Sequence, residues 1–139
     1  MTKQQKHDEV SNAMDVIKDK ENPIYIIKDN CNKEIKDLLL KIIYDDNIGG
    51  KNLGYELCYR AIGIIENQSI DELDDLRDLD IDEASPYTSN RLGYLNIFTE
   101  GEISEIINEY NCGIGDACAI WYNNMVQDVM MMLVDFIQG

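Results

Sequence analysis

Carboxylates are the most abundant chemistry in this chain. Its 139 residues hold 27 Asp and Glu against 12 Lys and Arg and one His, a formal net charge of −15. They are unevenly placed. Residues 1–68 carry 10 basic and 12 acidic side chains, whereas residues 69–139 carry only Arg77 and Arg91 against 15 acids. The densest stretch, DELDDLRDLDIDE at 71–83, holds eight acids and one Arg. Fixed carboxylates at that density can face a basic partner or gather a hard cation. For the first role the arithmetic is favourable. A helix of that length spans about 20 Å, over which duplex DNA carries about twelve phosphate charges. Asp71, Glu72, Asp74, Asp75, Asp78, Asp80, Asp82 and Glu83 are therefore the candidate partner-binding residues. Glu102, Glu105 and Glu109 join them from a following helix, and Glu100, Asp128 and Asp135 extend the same field. The plain alternative is a solvated face that keeps the protein in solution, yet the near-neutral first half shows that solubility alone did not require it.

Other constellations carry less. Asp78-Leu79-Asp80-Ile81-Asp82 spells D-x-D-x-D, but an EF-hand loop opening at Asp78 needs Gly at its sixth position and Glu at its twelfth. The chain has Glu83 and Ser89 there, so no metal site is expected. Cys31, Cys58, Cys112 and Cys118 form no C-x-x-C pair, which reads as reduced thiols in a cytosolic setting. A Cys112–Cys118 redox pair or a single reactive thiol is the alternative. Gly49-Gly50-Lys51 and Gly113-Ile114-Gly115 match neither phosphate-binding spacing and read as turns. No cofactor is expected. His7 sits in a polar N-terminal stretch that offers a general base no rigid frame, and no serine lies in G-x-S-x-G. Carboxylates are too numerous for any pair with split pKa values to stand out. No catalytic residue is expected, and the chain reads as a non-enzyme.

The elements that must hold the acids follow from apolar spacing. At 45% apolar residues the chain can bury a core, and its length suits one domain spanning 1–139. Val10, Ala13, Met14 and Ile17 predict a helix over 5–20. Pro23 then interrupts, and Ile24-Tyr25-Ile26-Ile27 is a short strand or an apolar plug. Ile35, Leu38, Leu39, Ile42 and Ile43 predict a helix over 33–45 capped by Asn32, ended by the turn at 47–50. Leu57, Ala61, Ile64 and Ile65 predict another over 53–66. Ser69 with Glu72 is a capping box, opening a helix with Ile70, Leu73 and Leu76 inward that stops near Asp80. Thr88 or Ser89 caps a helix with Leu92, Leu95 and Phe98. Thr99 with Glu102 caps one with Ile103, Ile106, Ile107 and Tyr110. The last helix runs from about Asp116 to Ile137 with Trp121, Met125, Val129, Met132, Leu133 and Phe136 on one side. The expected fold is mainly α, a compact bundle of six to seven helices with at most a short strand near 24–27. Met130-Met131-Met132 covers more than one helical face, pointing to burial on two sides as in a homodimer. Tyr55 and Tyr59, one turn apart, with Tyr87, Tyr94, Tyr110 and Tyr122, are core packing or interface aromatics.

The charge also excludes partners. Without a Lys/Arg excess the chain has little with which to release phosphate counterions, so direct nucleic-acid binding is not expected. An anionic bilayer would repel it. The first ten residues, MTKQQKHDEV, are polar, no apolar run approaches a membrane span, and the expected location is the cytosol.

The second half resembles small acidic phage and mobile-element proteins of the anti-restriction and anti-CRISPR type. The resemblance runs from Pro86-Tyr87-Thr88-Ser89 through Leu92 and Ile103-x-x-Ile106-Ile107 to Trp121-Tyr122-Asn123-Asn124. It implies a non-enzymatic inhibitor occupying the basic DNA- or guide-binding groove of a host defence nuclease in the host cytosol. Two other functions fit the residues: an antitoxin or immunity protein for one basic partner, and a nucleotide-signal sponge using Lys51, Arg60 or Arg91.

Overall fold

The computed structural model describes residues 1–19, 22–45, 51–78, 101, 104–105, 108–109 and 114–139. Among these the protein is mainly helical, with one two-stranded sheet. In chain order come α1 (Lys3–Ser11), β1 (Met14–Asp19), β2 (Asn22–Ile27), α2 (Lys33–Ile43), α3 (Lys51–Glu66), a 3-10 helix (Ile70–Asp78) and α4 (Ile114–Gln138). Five helical elements are bounded among the described residues, where the sequence predicts six or seven over the whole chain. The turn at 47–50 and the predicted helix with Leu92, Leu95 and Phe98 lie outside the described residues. Of the helix predicted to follow Thr99, Gly101, Ser104, Glu105, Asn108 and Glu109 are described, and all are helical and exposed. No helix among the described residues is long and apolar enough to cross a membrane.

The predicted helix over 5–20 is corrected to a short helix followed by a strand. Thr2 starts α1 with a reciprocal capping box: its Oγ1 accepts from Gln5 N at 3.1 Å, and Gln5 Oε1 accepts from Thr2 N at 2.8 Å. At Asn12 the helix ends, and the chain extends into β1 because a partner strand is available. β1 pairs antiparallel with β2, with Met14 opposite Ile27, Val16 opposite Tyr25 and Ile17 opposite Ile24. The apolar run at 24–27 is thus a strand, slightly longer than expected and made possible by a segment read as helical. Val10, Ala13 and Met14 are buried in either conformation, so burial did not distinguish the two. Ile17 does distinguish them. As a strand residue it points away from Met14 and Val16 and is 50% exposed, beside Ile24 at 51%. The hairpin's edges are blunted. Asp15 Oδ1 takes the Val16 N–H at 2.9 Å, and Pro23 has no N–H to offer.

α2 follows the sequence closely. Asn32 Oδ1 accepts from Glu34 N at 2.9 Å, and Ile35, Leu39, Ile42 and Ile43 are buried. α3 crosses it at very close range. A Cβ on Gly54 would stand 2.7 Å from the Ile43 Cα and carbonyl oxygen, so only glycine permits the backbones to meet there. Leu57, Cys58, Ala61, Ile62 and Ile65 carry the rest of α3 into the core.

α4 is buried over more of its circumference than a one-sided amphipathic helix, and its inner face is rotated from the predicted one. Tyr122, Val126, Val129, Met130, Leu133, Val134 and Ile137 are buried, while Trp121, Met125 and Phe136 are partly buried at the margin. Met132 points outward at 45% exposure. The reason is tertiary: α3, α1 and the 3-10 helix all pack on α4. Within the methionine run only Met130 is fully buried.

The close approach of α2 and α3 makes a paired prediction. Gly54→Ala lowers stability by about 1–3 kcal/mol, the usual cost of forcing volume into a packed contact. Gly63→Ala, on the same helix with nothing within 4 Å of its added Cβ, raises stability by about 0.5–1 kcal/mol. Thermal unfolding followed by circular dichroism reads both.

Candidate functional site

The acidic stretch is built on a three-residue repeat. Ile70, Leu73 and Leu76 recur every third position, and in a 3-10 helix residues three apart stand in one row. Leu73 and Leu76 are buried and Ile70 is partly so. The predicted α-helix is therefore corrected to a 3-10 helix ending at Asp78. A rise of about 2.0 Å per residue also holds neighbouring carboxylates farther apart than the α-helical 1.5 Å, which eases their repulsion. The predicted capping box is replaced by a backbone bond from Glu72 N to Ser69 O at 3.0 Å.

With the leucine row inward, the remaining positions form two outward rows, Asp71–Asp74–Arg77 and Glu72–Asp75–Asp78. All six are exposed. Arg77 neutralises part of the first row. Its Nε reaches Asp74 Oδ1 at 3.4 Å, and its Nη2 donates to Asp135 Oδ1 of α4 at 2.6 Å. These contacts raise the guanidinium pKa through hydrogen bonds to Asp135 and then Asp74. Among the described residues, Glu72, Asp75 and Asp78 form no ion pair at all. The 3-10 helix runs antiparallel to α4, since Gln127 Nε2 donates to the Leu76 and Arg77 carbonyls at 3.5 and 3.4 Å, and Gln138 Nε2 reaches Ile70 O at 3.5 Å. The acids of 71–78 are thereby joined through Arg77 to Asp135, and Asp128, next to Gln127 on α4, is exposed. The sequence places Asp128 and Asp135 in the same acidic field; the contact from Arg77 to Asp135 depends on how the 3-10 helix docks.

Of the other predicted partner residues, Glu105 and Glu109 are exposed and one helical turn apart. Asp80, Asp82, Glu83, Glu102 and Glu100 lie outside the described residues, as do Arg91, Cys112 and the Pro86–Ser89 motif. Among the described residues no group of three His, Cys, Asp or Glu side chains is placed to hold a metal.

His7 requires a correction, because it has the rigid frame that the sequence denied it. Its side chain is buried, and Nε2 lies 2.8 Å from Gln68 O and 3.1 Å from Ile65 O. Carbonyls only accept, so Nε2 carries the proton. The imidazole is spent on closing the end of α3. Beside it, Lys6 Nζ donates to Phe136 O of α4 at 3.1 Å and lies over the Phe136 ring. Both side chains clasp α1 to the ends of α3 and α4.

A second polar cluster lies between β2 and α3. The Tyr25 and Tyr59 rings stand 4.8 Å apart at 41°, with the buried Glu56 and the half-buried Arg60 nearby. Burial first, then the Glu56 charge, pushes the Tyr25 phenol up to about 12. Cys58, buried inside α3, is likewise pushed up to about 12 by desolvation, and burial also raises Cys31. Tyr55 and Tyr59 prove to be half-buried packing at the core margin.

No family model, curated protein or solved structure matches this chain.

Two predictions follow from these buried groups. Native Cys58 resists iodoacetamide at pH 8 and becomes alkylated only on unfolding, as read by peptide mass spectrometry, because the thiol is both enclosed and protonated. In the unfolded chain Tyr25 and Cys58 return toward their ordinary values of 10.0 and 9.0. Above pH 9 the unfolded state then binds fewer protons than the native one, so stability falls as pH rises from 9 toward 12. Urea midpoints measured across that range decline, and less steeply for Tyr25→Phe.

Proposed function

We propose that this protein is a non-enzymatic inhibitor that docks its acidic face into the phosphate-binding groove of a nucleic-acid-handling enzyme. The single observation that carries the reading is the row Glu72–Asp75–Asp78. These carboxylates are fixed on a 3-10 helix by Leu73 and Leu76, exposed, and without counter-charge among the described residues. Along that row the acids recur about every 6 Å, and the row beside it adds Asp71 and Asp74. Such an array attracts Lys and Arg that otherwise grip phosphates. The 3-10 helix is pinned to α4 by Arg77, Gln127 and Gln138, so little ordering of the backbone accompanies docking.

The resemblance of the second half to anti-restriction and anti-CRISPR proteins supports the same class of target, a host defence nuclease. The net charge of −15 supports a protein partner over a nucleic acid. In this reading the protein acts by occupancy. Its effect is to raise the nucleic-acid concentration its target needs, without consuming a substrate.

The test is capture from nuclease-treated host lysate in parallel with a Glu72→Lys/Asp75→Lys/Asp78→Lys variant. The wild type retains a nucleic-acid-binding enzyme at about 0.1 M salt and loses most of it at about 0.5 M, as the Debye length shortens from about 10 Å. It also competes with that enzyme's nucleic acid in a filter-binding assay. The variant keeps the wild-type circular dichroism spectrum and retains none of the enzyme. Equal retention by the variant, or retention indifferent to salt, refutes docking by charge.

A further inference from the structure

The 3-10 helix of Ile70–Asp78 is nine residues long. Runs beyond three or four residues are uncommon, because 3-10 hydrogen bonds are less well aligned than those of an α-helix. The sequence also carries the start signal of the alternative. Ser69 and Glu72 have the spacing of a capping box, in which the serine hydroxyl accepts the Glu72 N–H. Here Glu72 N donates instead to Ser69 O, three residues back, at 3.0 Å. The apolar residues do not choose between the two forms, since Ile70, Leu73 and Leu76 make one inward stripe at either helical period.

What distinguishes the forms is length. Gln138 Nε2 of α4 reaches Ile70 O at 3.5 Å, and Gln127 Nε2 reaches the Leu76 and Arg77 carbonyls at 3.5 and 3.4 Å. Along α4 those two glutamines stand about 16.5 Å apart. From Ile70 to Arg77 the chain rises about 14 Å as a 3-10 helix and about 10.5 Å as an α-helix. The end bonds already lie beyond the usual hydrogen-bond range, so a contraction of about 3.5 Å breaks one of them.

We propose that residues 70–78 are a two-state element, 3-10 while Gln127 and Gln138 hold both ends and α-helical, capped by Ser69, when an end is released. The switch controls how the acids are presented. In the 3-10 form Glu72, Asp75 and Asp78 stand in one row about 12 Å long. In the α form the row shortens to about 9 Å and fans through about 120°. This goes beyond the docking reading and stands whether or not the acids meet a partner, because both states belong to the free protein.

The full-length protein, labelled with nitrogen-15 and carbon-13, is followed by NMR. Couplings across hydrogen bonds show whether each N–H of the segment is bonded to the carbonyl three or four residues back. The wild type shows the three-residue pattern. Gln127→Ala/Gln138→Ala shows the four-residue pattern over 70–78, with α2 and α3 shifts unchanged. Each single variant is intermediate, one lost amide bond moving the equilibrium about fivefold toward α. Ser69→Ala added to the double variant moves it about fivefold back, the usual effect of losing a cap. Alone, Ser69→Ala leaves the wild-type pattern as it is. A double variant that keeps the three-residue bonds overturns the switch, because α4 then does not set the pitch. A segment that loses both patterns, or an α form indifferent to Ser69→Ala, overturns it equally.

Discussion

Two helix carboxyl ends brought side by side must be given donors, and the rest of this structure is arranged around that need. α3 and α4 share the largest helix contact of the core, and their last turns both reach α1. Each end concentrates carbonyl oxygens and a partial negative charge, and Ile65 O takes the Gln68 N–H as well. Consecutive residues of α1 meet them: Lys6 donates to Phe136 O and His7 to Ile65 O and Gln68 O. This explains why so polar a helix is part of the body. α1 buries little beyond His7 and Val10, and at nine residues it is too short to persist alone in water. Its stability comes from the ends it closes.

The same arrangement positions the acidic face. Once α3 ends beside the last turn of α4, the chain leaves Ser69 next to Gln138 and can only run back along α4. The 3-10 helix does so, with Leu73 and Leu76 inward and polar side chains of α4 closing on its carbonyls. A leucine row at three-residue spacing then leaves two of every three positions in water, and those positions are almost all acidic. Arg77 serves as a strap more than as a neutraliser. An exposed pair of this kind adds little stability, but it ties the acidic helix to α4 at the point where both carry charge. The face is consequently held in place by apolar contacts and backbone bonds, leaving its carboxylates available.

Local signals were legible wherever one element decided its own conformation. Asn32 with the stripe from Ile35 to Ile43 yields α2 nearly as it stands, since cap and apolar face agree. The exposed acids at 71–78 were likewise legible, because burying that many unpaired charges is prohibitive. Three features resisted. Residues 14–19 fit either a helix or a strand by apolar spacing, and their strand is chosen by a partner beyond the turn. The inner face of α4 was misplaced because helices pack on it from several directions, so no single stripe defines inside. His7 looked idle because the carbonyls it serves are about sixty residues away. The 3-10 helix is the instructive middle case, since the period of three was present in Ile70, Leu73 and Leu76 and was read as the first turns of an α-helix.

The helical class of the protein, the Asn32 cap of α2, the segregation of charge into the second half and the exposure of the acids at 71–78 are all written in the chain's local pattern. These follow from short-range sterics, capping and the cost of burying charge, which act within a few residues. The packing of elements decided that Arg77 of the 3-10 helix meets Asp135 of α4, that Gly54 is the contact between α2 and α3, and that α1 closes the ends of α3 and α4. Those outcomes depend on which surfaces meet, and helix and strand surfaces are chosen by mutual packing rather than by any one segment's pattern.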